Sequence, residues 1–374
     1  MIKKICNLIL MAVIVSFTAS FTACSDDDTD NNIIENGNDD NENSGDDDEN
    51  GNNETKPIAA GAVFVLGKMF PGDNGEGGAC FWKNSALQKL PSNNTREYCT
   101  KSIFVSGNDV YIVGEEQNGN YYNLILWKNG SVVKTIMNIE KGSSNEVFLF
   151  VSGNDIYTAG KENIGQIEEY IYVQKNDKEY FKIEKRGKYQ SLLRNIWSLF
   201  VSGNDVYVMI DTDLEDGIGN TNILYKNGEP LYYYGYSGGE ELTSVFVSGN
   251  DVYVAGKGGS NYTNFSPPVY WKNNEQHVLP GNGMVTSIFV SGNDVYLSGY
   301  NSPGNYNVAT YWKNGVANIL STDGTATSVF VSGDDVYVAG YERVAYGYSA
   351  ILWKNGAREV LSPGMEAHSV FVKE

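Results

Sequence analysis

The side chains that could carry chemistry in this chain are few, and they lie far apart. Asp211, Asp213, Glu215 and Asp216 put four carboxylates into six consecutive positions, the oxygen-rich donor set that Ca2+ prefers. Gly217 falls one place late for an EF-hand loop, and Asn222 stands where the bidentate glutamate would be, so a solvated acidic loop is the simpler reading and no resident metal or cofactor is expected. The two histidines, His277 and His368, have no Cys or His at ligand spacing, and no His-Glu-x-x-His or Gly-x-Ser-x-Gly occurs. A glycoside hydrolase or lyase needs only two acids drawn from distant loops, so that alternative stays open beside a non-enzymatic binder. The remaining candidates are aromatic. Tyr121, Tyr122, Tyr262, Phe265, Tyr306 and Tyr346, with Arg343, sit among Asn, Ser and Gly in segments that differ from one another. Rings with a polar edge offer large rigid contact area at little entropy cost, which suits a glycan or a protein ligand.

Those residues need elements to hold them, and the composition says which. The net charge of −19 excludes a nucleic-acid binder working through a basic face. With 41 Gly, 26 Tyr, 15 Phe and 6 Trp against 9 Pro, the chain reads as many short strands joined by tight turns. The stretch from Ser328 to Gly340 reads Ser-Val-Phe-Val-Ser-Gly-Asp-Asp-Val-Tyr-Val-Ala-Gly, and close copies start at Ser102, Phe148, Ser198, Ser244 and Ser287. A last start, Ser369-Val370-Phe371-Val372, ends the chain, and the spacing of 41 to 50 residues is that of four-stranded propeller blades. A two-residue turn at Gly333-Asp334 sets Val331 opposite Val336, Val329 opposite Val338 and Phe330 opposite Tyr337. A sheet apolar on both faces must be covered on both, and radial stacking of blades does that. A second signal, Trp353-Lys354-Asn355-Gly356 and its copies from Trp82 onward, marks a third strand turning into a fourth.

The ends complete each other. Val63 to Gly67 precedes Trp82 as Val336 to Gly340 precedes Trp353, so the N-terminal segment supplies strands two to four of a blade and Ser369 to Val372 supplies its first strand. The fold class is therefore all-β, a seven-bladed propeller of four-stranded blades, spanning residues 57–374 and closed by its two ends. First-to-second and third-to-fourth turns then share one face of the disc, with a recurring aspartate at Asp109, Asp155, Asp205, Asp251, Asp294 and Asp335. A turn aspartate bonding its own backbone explains that ring without a cation. The varied second-to-third connections share the other face with the candidate aromatics, and rigid scaffolds usually carry function on such loops. The basic run Lys178, Lys182, Lys185, Arg186, Lys188 and Arg194 could meet an anionic glycan or lipid headgroup, though Glu179 and Glu184 interleave as they do on the commoner mixed charged surface.

At the N-terminus, Lys3 and Lys4 precede an apolar stretch from Ile5 to Val15, followed by Phe21-Thr22-Ala23-Cys24. Residues 1–23 read as an export signal, too short to span a membrane as a mature helix. The small residues before Cys24 resemble the bacterial lipobox, which implies acylation of Cys24, with Phe21 departing from the usual aliphatic residue. Ser25-Asp26-Asp27-Asp28 looks like the acidic tag by which Bacteroidetes lipoproteins reach the outer face of the outer membrane. Ser25 to Lys56 holds 13 carboxylates, one lysine and only Ile33 and Ile34 as aliphatics, so residues 24–56 read as a lipidated cysteine with a disordered tether. A flexible coil of that length spans about 30 Å. Cys80 and Cys99 remain as a possible disulfide or as small core residues.

Taken together the chain resembles the lipidated propellers of Bacteroidetes, kelch-like in hairpin and repeat length but without paired glycines. The resemblance implies membrane attachment by acyl chains and display of a binding module at the cell surface; a structural subunit docked on an outer-membrane complex is the non-enzymatic alternative. Cys24→Ser is expected to shift the protein from the membrane to the soluble fraction and to abolish labelling by a tagged fatty acid. Retained label would contradict the acylation.

Overall fold

A computed structural model of the chain describes residues 57–70, 77–91, 98–118, 121–140, 147–164, 168–184, 193–213, 220–235, 240–259, 266–304 and 306–374. The leader, Cys24 and the acidic tether lie outside the described residues. Twenty-eight strands among the described residues form seven antiparallel sheets of four, a β-propeller. Six sheets use consecutive strands. The seventh, blade 1, joins Met365–Val372 to Val63–Met69, Gly78–Lys83 and Ala86–Lys89, as the matching of the ends predicts. Its closing register runs from Val63↔Val372 to Met69↔Met365, extended by Gly61 N–H to Lys373 O at 2.7 Å and Lys373 N–H to Ala62 O at 2.9 Å. Each blade's inner strand touches the inner strand of the next, around the whole ring.

Turn chemistry sets the register. The hairpin of blade 7 pairs Val331↔Val336, Phe330↔Tyr337 and Val329↔Val338. Gly333 at φ 56° takes the first turn position that a type II′ hairpin reserves for glycine. At the other turn Asn355 adopts φ 50°, the left-handed conformation that Asn tolerates and a type I′ turn demands. Tyr296 of blade 6 packs on Val329 and Val331 of blade 7, and Tyr253 of blade 5 on Ile288 and Val290 of blade 6, so aromatic faces meet valine-rich ones between blades. Trp353 is fully buried over Gly340, where a Cβ would lie 2.9 Å from the indole and 2.2 Å from Thr325 O. The inner-strand phenyls have a further neighbour: Phe104, Phe150, Phe200, Phe246, Phe289, Phe330 and Phe371 follow one another at centroid separations of 4.8–5.2 Å around the axis.

Two expectations need correction. Six of the seven inner strands begin several residues earlier than the repeat motif, as Tyr98–Ser106 and Gly324–Ser332 do, because a one-residue bulge precedes the motif and breaks its period-two alternation; Val147–Ser152 has no such bulge and begins one residue before its motif. His368 sits at such a bulge inside the closing strand, and Cys99 lies inside an inner strand. The recurring turn aspartate also bonds differently from the backbone loop expected of it. Each Asp Oδ1 accepts from the Asn of the neighbouring Lys-Asn turn at 2.7–2.8 Å, and each Oδ2 takes the Lys of that turn at 2.7–3.2 Å. The Asn Oδ1 in turn accepts the N–H of the residue after the aspartate at 2.8–2.9 Å, and the lysine lies over the tyrosine of the second strand at 5.1–5.5 Å. Two hairpin turns are thereby clasped together in six blades. Blade 1, with Ala62 and Phe64 in place of Asp and Tyr, keeps only the Asn84 bond to Val63 N–H at 2.8 Å and the Lys83 contact at 5.8 Å.

The clasp lysine holds the carboxyls of Asp109, Asp155, Asp205, Asp251 and Asp335 below the usual range, and at Asp294 the Asn314 amide leads. A depressed folded value gives stability that is complete above the unfolded carboxylate pKa of about 4 and is lost as pH falls through the folded values. Thermal melts should therefore show the deficit of a sixfold Asp→Asn variant constant from about pH 7 to 5 and shrinking below about pH 4. A deficit independent of pH would contradict this role.

Candidate ligand-binding site

The clasp face spends its polar groups on itself, and the opposite face does not repeat. Between blades 6 and 7 that face opens a cleft of about 130 Å³ lined by Asn307, Asp323, Gly324, Thr325, Tyr341, Arg343 and Tyr348. Asn307 precedes the third strand of blade 6, Val308–Lys313, and Asp323 lies in the crossing to the inner strand of blade 7. Tyr341 and Arg343 end the second strand of blade 7, Asp335–Val344, and Tyr348 opens its third, Gly347–Lys354. The register Tyr341↔Ala350 and Arg343↔Tyr348 places all three side chains on one sheet face. Arg343 N–H to Asp323 O at 3.0 Å and Gly324 N–H to Asn307 O at 2.8 Å fasten the walls.

Within the cleft Tyr341 and Tyr348 meet edge-on at 5.0 Å, and Phe70 of blade 1 lies 6.0 Å from Tyr348. Burial raises the Tyr341 phenol pKa, opposed by its hydrogen bond with Thr325, so the group stays neutral at physiological pH. The Arg343 guanidinium lies 5.7 Å over the Tyr306 ring, with Nε 3.8 Å from Asp323 Oδ1. Asn307 accepts from Ser302 Oγ at 2.7 Å and donates to Thr325 Oγ1 at 3.5 Å. The arrangement offers an aromatic wall, a cation, a carboxylate and an amide to one small polar guest.

Of the candidates named from the sequence, the structure brings Tyr306 and Arg343 together. Tyr346 is 98 % exposed at the tip of the same hairpin, outside the cleft lining. Tyr121 and Tyr122 open the third strand of blade 2 and are described by backbone alone; Tyr262 and Phe265 lie outside the described residues. The second-to-third connections of blades 2 and 7 continue as paired strands as far as Asn118↔Tyr121 and Val344↔Gly347. Asp323, Thr325 and Phe70 carry no sequence signal of their own. Asp323 and Thr325 lie together where the crossing enters the inner strand of blade 7, and Phe70 follows the second strand of blade 1, so only the packing of blades brings Phe70 to the other two.

Asp211 is buried, and its carboxylate accepts from Asn195 N–H at 2.5 Å and Asn195 Nδ2 at 3.4 Å, a bond across strands. Asp213 is described by backbone alone, and Glu215 and Asp216 lie outside the described residues. Among the described residues no three His, Cys, Asp or Glu side chains converge as a metal site would require. Cys80 is a fully buried free thiol packed with Val65 and Trp82, its pKa pushed up to about 12 by burial; Cys99 is described by backbone alone. His277 stacks on Tyr270 at 4.6 Å, and His368 Nε2 is 3.2 Å from Glu366. Of the basic run, Lys182 pairs with Glu179 at 3.0 Å, and Lys185, Arg186 and Lys188 lie outside the described residues.

No family model matches the chain, and no curated protein matches it. Solved structures do resemble it. An acylaminoacyl peptidase in complex with Z-Gly-Gly-Phe-chloromethyl ketone aligns over 82 % of this chain and 52 % of its own at 10 % identity, TM-score 0.51. The β-propeller domain of the Trilobed protease from Pyrococcus furiosus aligns over 71 % of this chain and 85 % of its own at 11 % identity, TM-score 0.47. A quinonprotein alcohol dehydrogenase-like protein from Bacteroides thetaiotaomicron aligns over 85 % of this chain and 79 % of its own at 11 % identity, TM-score 0.46. The chain spans about half the length of the peptidase, and likeness at such identities concerns the fold alone.

Proposed function

We propose that this chain is a lipid-anchored, surface-displayed lipoprotein of the outer membrane whose kelch-like propeller is a binding module for glycans. The cleft between blades 6 and 7 is the recognition site. One observation carries the reading: Tyr341, Tyr348 and the Tyr306-backed Arg343 surround a recess shared with Asp323, Asn307 and Thr325. A pyranose presents an apolar C–H face and a rim of hydroxyls, and that recess offers ring surface to the first and donors and acceptors to the second. The sequence at Cys24 supplies the anchor, and the acidic tether would hold the disc clear of the membrane and of anionic lipids.

The test is a titration of the full chain against a panel of mucin-derived and plant oligosaccharides, with released reducing sugar assayed in the same mixtures. Saturable binding without release is expected. Tyr348→Ala should weaken it by about tenfold or more, on the scale of about 1–3 kcal/mol for losing one aromatic contact in a binding site. Release of sugar, or binding indifferent to Tyr348→Ala and Tyr306→Ala, would contradict the assignment.

A further inference from the structure

We infer that the cleft selects a sugar unit bearing a carboxylate, a uronate or a sialate; this rests on the glycan reading above. Among the described residues, the other acids near the recess, Glu342 and Glu366, already face basic side chains. Glu342 accepts three contacts from Arg358, Nε to Oε1 at 3.0 Å, Nε to Oε2 at 2.9 Å and Nη2 to Oε2 at 2.6 Å. Glu366 faces His368 at 3.2 Å. Arg343 has one looser ionic partner, Asp323. Its Nε is 3.8 Å from Asp323 Oδ1, too long for a hydrogen bond. The guanidinium carbon lies 5.7 Å from the centre of the Tyr306 ring, and neither terminal nitrogen has a partner among the described residues.

A guanidinium held by an aromatic face and a carboxylate at its Nε end, with two parallel N–H groups unspent, is a fork for a planar anion. A sugar carboxylate matches it with two parallel charge-assisted bonds, a geometry that a lysine cannot reproduce and a neutral hydroxymethyl group does not fill. The ring carrying that carboxylate would then lie toward Tyr348, while Asp323 accepts from its hydroxyls. Asp323 also sets the sense of selection. With its charge at one end of the guanidinium, an anion is favoured at the free fork and disfavoured elsewhere in the recess, so the position of the carboxylate on the sugar is read as well as its presence.

Isothermal titration of the full chain would use galacturonate, glucuronate and sialylated oligosaccharides, each beside its methyl ester, with neutral and O-sulfated galactose oligomers alongside. At least one acid should bind about tenfold or more tighter than its ester and than the neutral oligomer. Arg343→Gln should erase that difference with the unfolding temperature unchanged, and Arg343→Lys should restore at most part of it. Equal binding of acids and esters, or an acid preference that survives Arg343→Gln, would overturn the inference, as would sulfated oligomers binding tightest. Neutral sugars bound in a Tyr348-dependent, Arg343-independent way would keep the glycan site and discard the acid selection. No binding by any sugar would discard both.

Discussion

Everything in this propeller depends on one pairing, that of Met365–Val372 with Val63–Met69. Seven blades, each apolar on both faces, need a neighbour on either side: an open ring would expose two large sheet faces and two edges. Chain order makes the closure non-local in the extreme, joining the last strand to the first. Val370 and Val372 are buried against Val65 and Trp82, and Phe371 continues the file of inner phenyls from Phe330 at 4.9 Å. The junction is thus packed as the other blades are packed.

Closure divides the molecule into two unlike faces. On one, six Asp-Lys-Asn clasps consume the turn polar groups, each carboxylate answering a lysine and an amide of the same blade. Repetition there is a consequence of backbone need, because a left-handed Asn at the turn has its side chain placed to accept the neighbouring hairpin's N–H. On the other face the second strands run past the disc by different lengths, and nothing forces one blade to copy the next. The cleft arises where the long hairpin of blade 7 stands beside the short crossing from blade 6. Its Arg343 is fastened through the backbone to Asp323 while the guanidinium stays half-spent.

How much of this the sequence shows follows from the range of each interaction. The Val-Phe-Val and Val-Tyr-Val runs flank a Gly-Asp turn, so strand, face and register are local facts and were legible. The matching of both chain ends followed from the same periodicity. The clasp was not legible, although Asp335 and Lys354-Asn355 were each visible as repeats, because their contact joins two turns some twenty positions apart. The single extra residue at each inner-strand bulge hid the true strand starts by inverting the alternation. At the cleft, Tyr306 and Arg343 could be flagged as aromatic and cationic residues in variable segments. Asp323, Thr325 and Phe70 are unremarkable in composition and gain meaning only from the stacking of three blades.

The central claim, a ring closed by its two termini, is tested most directly by hydrogen exchange of the full chain followed by mass spectrometry. Amides of Ser369 to Val372 should exchange as slowly as those of Ser328 to Val331, the equivalent inner strand of blade 7, and peptides from Val63 to Leu66 should be protected to the same degree. Exchange of the terminal strand within seconds, with Ser328 to Val331 still protected, would show an open ring and contradict the account.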